Sequence, residues 1–165
     1  MAILDLATGT RATVFRTIVS QLKADPVLAN AVKFWMVWDD SEWDRNVITS
    51  LQQPGIRLTP IPASQGWYSP DAFSGYLQIQ CEIGIPSVDA DDYLNLWEAI
   101  ENALYPPGDR VTQLAYQQAL RDAGSETGLV EFNLPASDPN AVAHNDGIWW
   151  CQGQMRISVI RTINP

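Results

Sequence analysis

Residues 76–85 alternate between polar and apolar side chains more regularly than any other part of the chain. The apolar positions are Leu77, Ile79, Cys81, Ile83 and Ile85, and the polar positions are Tyr76, Gln78, Gln80 and Glu82. Because successive side chains of a strand point to opposite faces, this pattern predicts a β-strand with one buried and one polar face. A sheet built on such a strand carries helices on one side only.

The remaining segments extend this prediction to the whole fold. Periodicity and capping residues predict helices over 10–24, 87–105 and 109–123, strands over 31–38, 56–61, 128–134 and 148–163, and loops over 62–74 and 135–147. In the helix over 109–123, Val111, Leu114, Ala115 and Leu120 are expected to face the core. The order predicts a single α+β domain spanning residues 1–165, with a mainly antiparallel sheet of four to five strands and helices packed on one face.

The net charge of the chain excludes some classes of binding partner. Nineteen acidic residues against ten basic ones give a net charge of -9, and the basic residues are scattered. An acidic surface repels nucleic acid and anionic membranes, which excludes a DNA-gripping protein. The first residues show no signal-peptide pattern, and no apolar run approaches the roughly 20 residues that span a bilayer. We therefore expect a soluble protein made in the cytosol.

The residue types give little support to catalysis. His144 is the single histidine and falls in a predicted loop, while Cys81 and Cys151 fall in predicted strands and are expected to be reduced and packed. Nucleophilic hydrolysis needs a base beside its nucleophile, and zinc needs clustered ligands. Glu82 and Glu131 are an alternative, as a carboxylate pair for glycoside hydrolysis, although strand carboxylates are mostly solvated. We expect no enzyme activity, no cofactor and no metal.

Aromatic and acidic residues are the candidate functional residues. Adjacent strand residues point to opposite faces, so Trp149 and Trp150 do not both lie in one core. Trp and Tyr are enriched at the interface positions that contribute most binding energy. The candidate interface residues are Trp43, Trp67, Tyr68, Trp149 and Trp150, and the candidate acidic surface is Asp39, Asp40, Glu42 and Asp44. The acidic segment lacks EF-hand spacing, so a solvated loop is favoured over a calcium site.

Most of the chain follows a recognisable order of elements. An amphipathic helix over Arg11–Asp25 precedes a strand over Val32–Trp38. The strand Tyr76–Ile85 leads into the sequence DYLNLWEAIENALYP at 92–106, and the long strand Gln152–Ile163 completes the sheet. This order and spacing resemble the tail terminator, or tail completion, proteins of tailed bacteriophages.

The resemblance implies a small α+β subunit that forms a hexameric ring at the head-proximal end of the tail tube. Such a ring stops growth of the tube, contacts the tail tube protein and the neck or connector protein, and can also meet the sheath. DNA passes through it without specific binding, and an acidic lumen suits that passage. The implied location is the virion tail or neck, after assembly in the host cytoplasm. The chain departs from the simplest pattern by an added helix over 109–123 and a tryptophan-rich region over 35–70.

Two alternative classes share these features. Other phage neck and head-completion proteins have similar size and acidity. A ligand-binding module, such as a carbohydrate binder, could use Trp67, Tyr68, Trp149 or Trp150 as stacking platforms. The absence of a secretion signal disfavours the second class, because free sugar-binding modules are mostly exported.

Overall fold

In a computed structural model of the protein, the alternating segment is an inner strand of the sheet. The structure describes residues 10–37, 54–69, 72–85, 90–105, 108–133, 142–145 and 148–162. In chain order the elements are α1 (Thr10–Ala24), α2 (Pro26–Ala31), β1 (Phe34–Val37), β2 (Gly55–Ser69), β3 (Ala72–Ile85), α3 (Ala90–Leu104), α4 (Arg110–Asp122), β4 (Ser125–Asn133), β5 (Val142–Asn145) and β6 (Ile148–Thr162).

The described strands form one mixed sheet. Five strands follow the order β1-β2-β3-β6-β4, and β5 pairs with the start of β6 on the edge that β4 shares. All described pairings are antiparallel except that of β1 with β2, which is parallel. The α+β prediction is confirmed. The antiparallel prediction holds only in part, and β5 lies where a loop was expected.

One face of the sheet packs against α1 and α3 to form the core. The buried residues of these elements are Leu77, Ile79, Cys81, Ile83, Ile85, Met155, Ile157 and Val159 from the sheet, and Val14, Phe15, Ile18, Leu22, Leu96, Trp97, Ile100 and Leu104 from the helices. Gly153 lies directly under Trp97, and a Cβ atom at this glycine would overlap the indole ring. The missing side chain therefore sets how closely α3 approaches β6.

The segment after α1 forms a short helix that the sequence pattern did not predict. Asp25-Pro26 ends α1 as expected, but the same two residues also begin α2. The Asp25 carboxylate accepts hydrogen bonds from the backbone N–H groups of Val27 and Leu28, each at 2.9 Å. Pro26 fits the first helical turn because its missing N–H has no helical partner there. β1 consequently begins at Phe34, later than predicted.

β2 is far longer than predicted. The expected loop over 62–74 is wrong, because β2 and β3 pair as a hairpin through most of it, with two register shifts. β1 pairs with β2 only as far as Leu58, so no described strand occupies that edge of β2 farther along. Proline has no N–H to donate, and an open edge tolerates it. Pro60 and Pro62 therefore fit within the strand.

α4 turns a different side toward the core than predicted. Tyr116 and Leu120 are buried, whereas Val111, Leu114 and Ala115 are exposed. Leu120 follows Val111 by nine residues, which is about 180° around a helix of 3.6 residues per turn. The predicted set could not share one face. The side that carries Tyr116 and Leu120 packs inward, and α4 contacts β4 and α1.

Candidate functional site

The face of the sheet opposite the core carries an ion pair. We call this surface the polar face; it is formed by Tyr76, Gln78, Gln80 and Glu82 of β3 and by the residues that oppose them on neighbouring strands. The register places Arg57 and Gln152 on either side of Glu82. Arg57 Nε donates to one carboxylate oxygen of Glu82, and Gln152 Nε2 donates to the other at 3.4 Å.

Glu82 was expected to be solvated, and this expectation is wrong. Only 7% of the residue is exposed, and 13% of the Arg57 side chain is exposed. A buried carboxylate requires a paired cation and hydrogen bonds, and Glu82 has both. Because both carboxylate oxygens are occupied, the group is suited to linking three strands rather than to transferring protons.

Arg57 also stacks on an aromatic ring of the same face. Its Cζ atom lies 5.1 Å from the ring centroid of Trp150, within the range of a cation–π interaction. Trp150 is half-buried and opposes Gly84 in the register. Of the two neighbouring tryptophans, Trp150 is therefore the one whose ring lies on the polar face. Trp149 opposes Ile85 in the register.

A second arginine is held on the polar face by a tyrosine. The Cζ atom of Arg156 lies 3.5 Å from the ring centroid of Tyr76. The two residues are diagonal neighbours, since Arg156 opposes Gln78 and Tyr76 opposes Ser158. The Arg156 Nε is buried and has no hydrogen-bond partner in the part of the chain that the structure describes. Among the described residues, the contact with the Tyr76 ring is thus the interaction that holds this guanidinium in place.

Amide and hydroxyl groups lie between the two arginine–aromatic pairs. Gln80 opposes Gln154 on β6 and Thr59 on β2, and these side chains are half-buried or exposed. Glu131 of β4 opposes Arg156 and is exposed. The result is a surface with both charge signs and many hydrogen-bonding groups. Its aromatic and arginine side chains are already positioned by neighbouring strands.

The proposed carboxylate pair is not brought together. Glu82 opposes Gln152 and Glu131 opposes Arg156, four positions apart on β6 and on opposite edges of that strand. At about 3.3 Å per residue the separation along the strand is roughly 13 Å. Glycosidase carboxylates lie about 5–9.5 Å apart. The two residues do not have the geometry of that reaction.

Burial perturbs the titratable groups on the core side of the sheet. Cys81 and Cys151 are free and buried, as predicted, and burial raises the pKa of both thiols. A thiol with a raised pKa forms little of the nucleophilic thiolate. Tyr93 donates to the backbone oxygen of Gln152 at 3.5 Å, and burial followed by the nearby cysteines raises the pKa of Tyr93 to about 12. These groups are packing residues at neutral pH.

The other candidate residues are only partly placed. Trp67 and Tyr68 lie near the C-terminal end of β2 in the β2–β3 hairpin. His144 belongs to β5, where it opposes Trp149 of β6. Trp43 and the acidic residues Asp39, Asp40, Glu42 and Asp44 lie outside the described residues. Within the described ranges no three His, Cys, Asp or Glu residues are grouped as metal ligands. None of the described helices is long and apolar enough to cross a membrane.

The sequence did not single out Arg57, Tyr76, Gln152 or Arg156 as site residues. The signal that could have found them is the polar half of the alternation in β2, β3 and β6, which groups arginine, tyrosine and glutamine on one face. Their pairing depends on the cross-strand register, which the alternation does not fix.

Comparison with known proteins identifies no relative from which a function could be inferred. No family model matches this chain, and no curated protein matches it significantly.

Proposed function

We propose that the protein is a non-catalytic structural subunit that assembles with copies of itself into a closed ring, and that the ring terminates a phage tail tube. The observation that carries this proposal is the polar face, where Arg57 and Arg156 are each stacked on an aromatic ring and remain beside partly exposed amides. The resemblance of the element order to tail terminators supports the choice of assembly.

The polar face has the composition of a protein contact. Arginine, tryptophan and tyrosine are the residue types most enriched at interface hot spots. Ordering a side chain on binding costs about 0.5–1.5 kcal/mol, and side chains already held by neighbours avoid most of that cost. Trp150 and Tyr76 hold the two arginines before any partner arrives. Because both arginine side chains are already ordered in the free subunit, the polar face is better suited to a protein–protein contact than a face of mobile, solvated side chains would be.

The proposed partners follow from the ring. They are other copies of the chain, six in the proposed ring, together with the tail tube protein, the neck or connector protein and the sheath. The net charge of -9 per chain favours passage of DNA through a ring without tight binding. The proposed location is the virion tail or neck, after assembly in the host cytoplasm. Trp150 gives no support to carbohydrate stacking, because Arg57 lies over its ring.

A charge added to the polar face tests the contact. Gln154 is exposed on this face, so Gln154→Arg adds a cation near Arg57 and Arg156 without filling the core. We expect wild-type protein to sediment as a multimer and form rings by electron microscopy. Gln154→Arg should stay monomeric with an unchanged melting temperature. The control is Asn30→Arg, exposed on α2 in the helix layer, which should still assemble. Rings formed equally by Gln154→Arg would remove the polar face from the proposed contact.

A tube-growth experiment separates terminator from other neck proteins. Tail tube protein is polymerised with and without the purified ring, and tube lengths are measured by electron microscopy. A terminator shortens the tubes and sits at one end of each. Unchanged tube lengths, together with binding to the connector, would favour a neck or head-completion protein instead.

A further inference from the structure

A groove runs between α1 and α4 on the helix side of the molecule. Its volume is about 550 Å³. Small residues make up most of both walls, Thr13, Thr17 and Ser20 on α1 and Thr112, Ala115 and Ala119 on α4, and the larger Arg16, Gln21 and Tyr116 complete the lining. Each row repeats at helical spacing over seven residues, about 10.5 Å at 1.5 Å per residue. Walls of small side chains allow another backbone to approach closely.

Exposed apolar residues of α4 lie beside the groove. Val111 is 80% exposed and Leu114 is 50% exposed. They lie next to Ala115 on one side of the helix, at spacings of three and four residues. Two large apolar side chains on the same exposed helix face indicate an interaction surface more strongly than scattered ones do.

The charge around the groove is opposite to that of the chain as a whole. α1 carries three basic residues, among them Arg16 at the groove, and no acidic residue, in a chain of net charge -9. α3 is its complement, with four acidic residues and no basic one. The outer side of α3 presents Leu94 and Glu98, both exposed. One subunit therefore displays a groove that contains one basic residue, Arg16, on a helix of net positive charge, and an acidic helix with the exposed apolar side chain of Leu94.

We propose that the α1–α4 groove binds the exposed side of α3 from a second copy of this chain. Residues 91–98 of α3 cover seven steps of helix, the same length as each groove wall. Leu94 would pack against the apolar α4 side, and Glu98 would face Arg16. A groove and a different complementary surface on every subunit make a head-to-tail interface, which closes into a ring when the rotation between neighbouring subunits is a whole-number fraction of a full turn. This assignment rests on the proposed self-assembly and names one of its contacts.

Charge reversal tests the pairing of Glu98 with Arg16. Arg16→Glu and Glu98→Arg alone should each weaken self-association about tenfold or more, because like charges then meet. An equimolar mixture of the two variants should assemble again, since subunits that alternate around a ring restore opposite charges at every interface. The controls are Lys33→Glu and Glu126→Arg, which make the same charge changes at exposed positions outside the groove and α3. Both should assemble like wild type, with masses measured by sedimentation.

Three results would overturn the assignment. Single variants that assemble like wild type would remove this contact while leaving the ring intact. Loss with Arg16→Glu alone would mean that another surface occupies the groove. Failure of the mixture to recover would show that the two side chains do not face each other. Wild-type protein that never self-associates would instead refute the proposed function.

A thiol cross-link provides a readout that does not depend on charge. Cys81 and Cys151 are buried, so they should give little background. A mixture of Leu114→Cys and Leu94→Cys proteins should form a disulfide-linked pair of chains on mild oxidation, because the proposal places Leu94 against the exposed apolar side of α4. Leu114→Cys mixed with Glu126→Cys should not. Linkage of Leu114→Cys protein to itself would indicate a symmetric contact and overturn the proposed docking.

Discussion

Gly153→Ala should push Trp97 away from the sheet and destabilise the fold. The added Cβ atom would overlap the indole ring, which is buried and donates from Nε1 to Glu101 at 2.9 Å. Overpacking of this kind costs about 1–3 kcal/mol. Replacing a strand glycine by alanine returns about 0.5–1 kcal/mol of backbone entropy. We expect a net loss of about 1–2 kcal/mol, or a melting temperature lower by about 3–6 °C for a domain of this size.

A double-mutant cycle identifies the indole ring as the cause. Urea unfolding is followed by far-ultraviolet circular dichroism for wild type, Gly153→Ala, Trp97→Leu and the double variant. In the Trp97→Leu background the smaller side chain leaves room for the new Cβ atom, so Gly153→Ala should cost close to nothing or be slightly stabilising. Equal losses in both backgrounds would refute the packing of α3 on β6 as described.

Two further perturbations test the polar face and the core side of the sheet. Glu82→Gln leaves the buried Arg57 without its carboxylate and should lower the free energy of unfolding by about 3 kcal/mol. The control Glu131→Gln, at an exposed strand position, should change the free energy of unfolding by less than about 0.5 kcal/mol. Similar losses for the two variants in urea titrations would contradict the buried ion pair. Burial raises the pKa of Tyr93 from 10.0 to about 12, so its contribution to stability is complete below pH 10 and is lost as pH rises toward 12. Tyr93→Phe should therefore lose less stability than wild type between pH 9 and 11, and an identical pH dependence of the two proteins would argue against this environment.

The sequence predicted the elements in which one strong pattern acts alone. The alternation around Ile79 placed β3 and its two faces, and the apolar stripe through Trp97 placed the buried side of α3. The apolar pattern did not predict the buried side of α4, because this helix has apolar residues on two sides. Only packing against the rest of the fold decides that Leu120 is buried and Val111 is exposed. β5 is four residues long and is stabilised by its pairing with β6, so its own sequence is too short to show a strand periodicity.

The site was less predictable than the fold because it depends on register. Residues 57, 82 and 152 are widely separated in the chain, and a shift of one position in either pairing would send the partners of Glu82 to the other face. Aromatic content alone pointed to Trp150 but not to the arginine above it. The groove between α1 and α4 is formed by two helices distant in sequence, and its small side chains carry no signal of their own.

Sedimentation of the wild-type protein over a wide concentration range tests the proposed self-assembly most directly. The chain has a mass of 18.3 kDa, so a closed ring of six copies would sediment at about 110 kDa without forming larger open polymers. A closed multimer that dissociates on Gln154→Arg substitution is the predicted result. A single 18.3 kDa species at every concentration would contradict a preformed ring.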